Sequence, residues 1–198
     1  MRTQGENAMR VITGSARGRR LRELEGMETR PTTDRVKEGM FSILQFDIEG
    51  RRVLDLFAGT GQLGIECLSR GAAEVTFVDR RGDAVRLIRE NLRVTNLEEG
   101  ARVIAGDAME YLHTVKQRFD LVFLDPPYAS GLLESALEEI ARIDILSPHG
   151  IIVAEHPADH VLPVLAPPYR LHRVYRYGKI GLSVYHRGAN QENEEQRS

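Results

Sequence analysis

The tetrapeptide Asp125-Pro126-Pro127-Tyr128 places a carboxylate, two rigid rings and an aromatic face directly behind the apolar run Phe119-Asp120-Leu121-Val122-Phe123-Leu124. That set of groups suits one task, the holding of a planar exocyclic amine. Such an amine has two N–H donors and a lone pair delocalised into its ring, so it is a poor nucleophile. Asp125 is expected to accept one N–H and the carbonyl of Pro126, fixed by the following proline, the other, which favours a pyramidal nitrogen with its lone pair directed outward. Tyr128 is expected to stack on the ring, a contact worth roughly 1–3 kcal/mol in single-strand binders. The plainer alternative is a Pro-Pro turn closed by an ordinary aspartate. The element that must position these groups is a strand. The preceding run reads as a buried strand of a parallel sheet, and two prolines must end it. The tetrapeptide therefore belongs at a strand's carboxyl end, where open α/β sheets bind their ligands.

A second unit points the same way. Val53-Leu54-Asp55-Leu56-Phe57-Ala58-Gly59-Thr60-Gly61 reads as a strand ending in a glycine turn, and Ile65 to Arg70 then reads as a helix. Glycines let a backbone approach a ligand closely, and the first N–H groups of the helix offer donors. Thr76 to Asp79 supplies the next strand with an acid at its end, suited to a ribose diol, and Val103 to Ala108 a third such edge. The segment Gly59-Thr60-Gly61-Gln62-Leu63-Gly64 also satisfies G-x-G-x-x-G, with Asp79 near the dinucleotide spacing, so a nicotinamide-dependent oxidoreductase is a rival reading. Asp55 separates the two, because an acid before the glycines repels a pyrophosphate but suits a ligand carrying an ammonium and a sulfonium. With Asp125 to Tyr128 at the fourth strand, methyl transfer is the preferred reading.

The combination of Asp55 to Gly61, Asp79, Gly106-Asp107-Ala108 and Asp125 to Tyr128 resembles a class I S-adenosylmethionine-dependent amino-methyltransferase. The segment Arg30 to Leu44 and the opening Met9 to Leu21 are similar to those of the bacterial RsmD family, which methylates a guanine N2 in small-subunit (16S) ribosomal RNA; the likeness spans about residues 9–187. The resemblance implies a Rossmann-like α/β fold, with a mostly parallel seven-stranded sheet, an antiparallel edge strand and helices on both faces. It implies S-adenosyl-L-methionine as cofactor, held by Asp55, Phe57, Ala58, Gly59, Gly61, Asp79, Arg80, Gly106, Asp107 and Ala108. Asp125, Pro126, Pro127 and Tyr128 are the implied catalytic set. The implied partner is small-subunit rRNA or the 30S particle. By residue chemistry alone the Asp-Pro-Pro-Tyr motif also suits adenine N6 in DNA or RNA, and a non-catalytic RNA-binding factor is the alternative from another class.

Composition agrees with one enzyme domain. The 198 residues, 41% hydrophobic and 28% charged, are ordinary for a globular chain. No apolar run of about 18 residues and no secretory signal is visible, so a cytoplasmic protein without membrane contact is expected. The single Cys67 forms no intrachain disulfide and reads as a core residue, and the histidines lack zinc spacing, so no metal is expected. A monomer is expected.

The net charge of −2 conceals a segregation of charge. Residues 10–22 hold Arg10, Arg17, Arg19, Arg20 and Arg22 without an acid, and residues 160–187 hold Arg170, Arg173, Arg176, Lys179 and Arg187, again without one. Each block is either a solvated face or a nucleic-acid footprint. The expected RNA contacts are Arg10, Arg17, Arg19, Arg20, Arg30, Thr33 and Arg35. The expected organisation is a basic N-terminal arm or hairpin over 1–29, lying outside the sheet core, a methyltransferase domain over 30–187 and a disordered tail over 188–198. Strands are predicted near 52–57, 74–79, 102–105, 119–124, 150–154, 170–177 and 180–186, and helices near 33–45, 62–70, 82–95, 107–116 and 131–143. With only about 70 residues after Tyr128, no separate target-recognition region fits, so a folded RNA read by shape and unpaired bases is the expected substrate.

Overall fold

The computed structural model describes residues 9–23, 31–127 and 131–188, apart from the side chains of residues 31–34. The elements run α1 (Pro31–Ile43), β1 (Arg52–Asp55), α2 (Gln62–Ser69), β2 (Glu74–Asp79), α3 (Gly82–Thr95), β3 (Ala101–Ala105), α4 (Ala108–Thr114), β4 (Phe119–Leu124), α5 (Leu132–Ile143), β5 (Leu146–Pro157), β6 (Tyr169–Tyr177) and β7 (Ile180–Arg187). They form one seven-stranded sheet in the order β3-β2-β1-β4-β5-β7-β6. Pairings from β3 across to β5 are parallel. β7 is antiparallel to both β5 and β6 and so runs against all the others. The edge itself belongs to β6, because residues 158–168 carry the chain past the place that β7 later fills.

Alternation along the strands explains the two-sided core. Val53, Phe77, Leu121, Phe123, Val153 and Leu182 point to the face covered by α1, α2 and α3. Leu54, Val78, Val122, Leu124, Ile152 and Tyr185 point to the face covered by α4 and α5. Strands buried on both faces read as continuous apolar runs, which is why they were visible in the sequence. Several boundaries differ from expectation by two to four residues, and two have a visible cause. β1 stops at Asp55 because, although the Leu56 N–H still reaches the Phe123 carbonyl, the Ala58 N–H crosses to Val78 on the other side. β5 starts at Leu146, which pairs with Phe119 before a register shift.

Gly64 fixes how closely α2 sits on the sheet. A Cβ there would lie 2.2 Å from a Phe77 ring carbon and 2.8 Å from a Val75 methyl. Gly64→Ala is expected to destabilise the protein by about 1–3 kcal/mol through overpacking, read from denaturant midpoints, and to shift the turn before it. Cys67 is fully buried in this same layer.

The N-terminal arm departs from the sequence reading. Its described part, residues 9–23, is a minimal hairpin with one bridge between Arg10 and Arg20, and it packs on the core instead of standing outside it. Met9, Val11, Ala16 and Leu21 are buried with the α1–α3 layer. Glu66 on α2 accepts the Ile12 and Thr13 N–H groups at 2.7 and 3.0 Å, and Ser69 ties the turn at Ala16. Burial of four apolar side chains and satisfaction of a buried carboxylate together explain the docking.

Candidate active site

The carboxyl ends of β1, β2, β3 and β4 lie along one edge of the sheet, and the order of strand addition reverses between the parallel neighbours β1 and β4, where such sheets open a crevice. At the end of β1, Asp55 is 3% exposed and its Oδ2 accepts the Gly64 N–H at 3.1 Å. Burial pushes its pKa up to about 7 against that hydrogen bond, and the charge of Asp79 adds to the rise. The turn that follows needs its glycines: Gly59 and Gly61 have φ of 53° and 78°, a region that side chains disfavour.

Asp79 ends β2 and braces that turn. Its Oδ2 accepts the Gly59 N–H at 2.8 Å and its Oδ1 accepts the Arg81 N–H at 2.8 Å. The Gly106 N–H donates to the Asp79 carbonyl at 3.1 Å, which joins the third edge to the second. Asp107 caps α4, its Oδ1 accepting from the Met109 and Glu110 N–H groups. Phe57 and Gly106 are half-buried, Ala58 and Ala108 buried, and Arg80 exposed. The structure thus brings the expected cofactor residues to one edge. A crevice with acids at the ends of two adjacent strands and a tight glycine turn between them suits a cationic, diol-bearing ligand.

Asp125 follows β4 and is exposed at the rim, Pro126 is buried and Pro127 exposed; Tyr128 lies outside the described residues. Desolvation by the surrounding chain, then the charges of Glu155 and Asp55, raise the Asp125 carboxyl above its ordinary range. Its exposed side limits both contributions, since water solvates the carboxylate and screens the neighbouring charges. Register explains the crowding. Leu124 pairs with Ala154 and Asp55 with Phe123, so Asp55, Asp125 and Glu155 follow residues of the same sheet face on adjacent strands. Two carboxylates so placed resist simultaneous ionisation.

Sequence reading missed Glu155, although an acid closing the apolar run Ile151–Ala154 was the available signal. With Pro126, Pro127, His156 and His160 it lines a cavity of about 410 Å³ between the ends of β4 and β5, within the usual range for small-ligand sites. Burial lowers the pKa of His156. Its Nδ1 lies 2.8 Å from the Pro157 carbonyl and must carry the proton, so Nε2 accepts from the Ser183 hydroxyl, also at 2.8 Å. Glu155→Gln removes a like charge beside Asp125, so the acid limb of the activity–pH profile is expected to move to lower pH. A profile recorded over pH 4–9 with an unmoved limb would contradict the coupling.

Asn91 was missed too. This fully buried side chain on α3 donates to the Thr60 and Arg22 carbonyls at 3.0 and 3.1 Å and accepts the Arg22 N–H at 2.7 Å, tying the glycine turn to the arm. The signal was a polar residue on the apolar stripe of α3, between Ile88 and Leu92.

The expected RNA contacts are not gathered in one place. Arg10, Arg17, Arg19, Arg20 and Arg35 are all exposed. The hairpin turn, however, is bound to Ser69 at the far end of α2, away from the crevice, and Arg19 donates to the Val94 carbonyl near the end of α3 at 2.6 Å. A cation there caps a helix C-terminus. Arg35 lies on the first turns of α1; Arg30 and the Thr33 side chain lie outside the described residues.

The family described as Conserved hypothetical protein 95 matches residues 9–186, nearly all of the described chain. The chain belongs to this family. Among its relatives, Ribosomal RNA small subunit methyltransferase D of Escherichia coli (strain K12) is 35% identical over 191 residues, covering 96% of each chain. YlbH of Bacillus subtilis (strain 168), described as a candidate rRNA methyltransferase, is 42% identical over 180 residues, covering 89% of this chain and 98% of its own. The solved structure of yhhF from Escherichia coli, a candidate methyltransferase, superimposes with a TM-score of 0.84 at 32% identity, covering 93% of this chain and 100% of that one. The seven-stranded class I methyltransferase fold of this family member is therefore the one its sequence implied.

Among the described residues no group of three or more His, Cys, Asp or Glu could hold a metal ion, and no helix is long and apolar enough to cross a membrane.

Proposed function

We propose that this member of the family transfers a methyl group from S-adenosyl-L-methionine to the exocyclic N2 of a guanine in small-subunit ribosomal RNA, acting as a cytoplasmic monomer on the RNA or the 30S particle. The observation that carries the reading is the convergence of Asp55, Asp79 and Asp125 on one sheet edge, beside a glycine turn and a base-sized cavity. The names of the relatives support the substrate class.

When bound, S-adenosylmethionine supplies an electrophilic methyl on a sulfonium. Asp55 and the turn to Gly61 would hold its amino-acid part, Asp79 its ribose, and Gly106 to Ala108 its adenine. The Asp125 carboxylate and the Pro126 carbonyl accept the two amine N–H groups of the target and orient its lone pair. Positioning of this kind removes ~7–11 kcal/mol of barrier at best. The methylated amine loses its proton after transfer, so no tuned base is required. Extrusion of the target base costs a few kcal/mol in a duplex and less in a loop. Glu155 favours guanine over adenine, because guanine offers an N1–H donor beside its amine whereas adenine N1 is an acceptor. The basic arm over 1–29, the domain over 30–187 and the tail over 188–198 remain our division of the chain.

The test is transfer of labelled methyl to unmodified small subunits, their extracted RNA and unmethylated DNA, followed by nucleoside identification. N2-methylguanine in a ribosomal substrate is the expected result; label confined to DNA, or to adenine, would overturn it.

A further inference from the structure

The charges unaccounted for lie on β6 and the turn after it. Arg170, Arg173, Arg176 and Lys179 are all exposed, and no acid occurs from residue 160 to 187. No salt bridge among the described residues includes any of the four. β6 is the edge of the sheet, bonded only to β7. Cations on an edge strand also discourage edge-to-edge pairing, so their presence alone decides nothing. Their arrangement does.

In a regular strand residues 170 and 173 point to opposite faces. Here the register shifts between Leu171 and Arg173, so that Arg170 pairs with His186 and Arg173 with Val184. The extra residue, His172, turns Arg170 and Arg173 to the same face, as β-bulges commonly re-aim side chains. That face also carries Tyr175 and Tyr177. The Arg173 guanidinium lies 5.1 Å from the centre of the Tyr175 ring, which holds it in place. Tyr177 is packed against α1 at Gly39, so the rings act as supports for the cations.

The face leads to the reactive edge. Tyr175 pairs with Leu182, and Leu182 with Glu155, so the three form one row across the sheet. Two strand spacings put Tyr175 about 10 Å from Glu155 at the cavity. The β6–β7 turn reaches the same end of the sheet, where the Lys179 carbonyl accepts the Ala158 N–H at 2.9 Å, just past β5. The N-terminal hairpin offers the contrary geometry, with its turn at the far end of α2.

We infer that the β6 face and the β6–β7 turn form the phosphate-binding surface for the RNA strand flanking the target base, with Arg170, Arg173 and Lys179 as its cations; Arg176, opposite Gly181, points to the other face. This rests on the reading of RNA as substrate. The test uses the full chain and extracted unmodified small-subunit RNA, with affinity measured across a salt series. Replacement of Arg170, Arg173 and Lys179 by Ala is expected to flatten the log–log salt dependence by about 0.7 per lost single-strand contact, hence by up to ~2, with cofactor affinity and thermal unfolding unchanged. Arg17→Ala/Arg20→Ala is expected to change the slope less. An unaltered slope in the β6 variant, or a larger loss in the hairpin variant, overturns the surface while the RNA reading stands. Wild-type protein that binds no RNA overturns both.

Discussion

Asp125→Ala is expected to lower the rate of methyl transfer by about 10²–10³-fold, the usual cost of removing one preorganised polar group that acts on the reacting atom. The side chain lies at the rim after β4, with no hydrogen bond to the glycine turn or to Asp79 among the described contacts, so cofactor affinity should stay near the wild-type value. The loss should therefore fall on the single-turnover rate at saturating cofactor. Asp125→Asn should lose less, since its amide oxygen still accepts one N–H while its NH₂ opposes the second approach. Both variants should also lose the part of the acid limb that belongs to Asp125, whose pKa is raised by its surroundings and by Glu155 and Asp55. In the wild type, activity that needs the carboxylate falls as pH drops through that raised value, at higher pH than for an ordinary aspartate. A variant with full single-turnover rate would remove Asp125 from the mechanism.

Local chemistry decided which parts of this architecture were legible in the sequence. Strands buried on both faces announce themselves as runs such as Val53–Leu56 and Phe119–Leu124, and a glycine turn or a proline pair marks where each one stops. Asp55, Asp79 and Asp125 are all strand-terminal acids, and strand order alone brings them together. Pairing partners were not legible. Glu155 matters because β5 lies beside β4, in a register that no local pattern encodes. The bulge at His172 is likewise invisible without β7 alongside, yet it turns two arginines to one face. The hairpin illustrates the converse error. Its arginines are conspicuous, but the less conspicuous Met9, Val11, Ala16 and Leu21 determine where it packs, and this carries its turn away from the crevice.

Asp55→Asn is expected to stabilise the protein at alkaline pH while weakening its hold on a cationic cofactor. The wild-type carboxyl is buried, with a folded-state pKa of about 7 against an ordinary 3.8. The folded chain therefore keeps a proton that the unfolded chain releases, and stability falls as pH rises from about 4 to about 7, then stays level. About three pKa units correspond to roughly 4 kcal/mol, an order-of-magnitude figure. Asparagine keeps an oxygen to accept the Gly64 N–H but carries no charge, so its advantage should be absent near pH 4, grow through that window and be complete above pH 7. At pH 8 it should amount to roughly 10 °C in Tm for a chain of this size. A cationic ligand nearby reverses the balance, because it favours the ionised acid. Wild-type binding of S-adenosylmethionine near pH 7 should then release up to about half a proton, the share Asp55 holds at its pKa of about 7, seen by calorimetry in buffers of different ionisation enthalpy, and the Asn variant should release none from this site. An Asn variant no more stable than the wild type at pH 8, compared with pH 4, would refute the buried charge. Release of the same proton by both would place the cofactor's charge elsewhere. An acid kept in the core at such a cost to the apo protein is what a site built for a cation requires, and it separates Asp55 from the solvated acids of the surface.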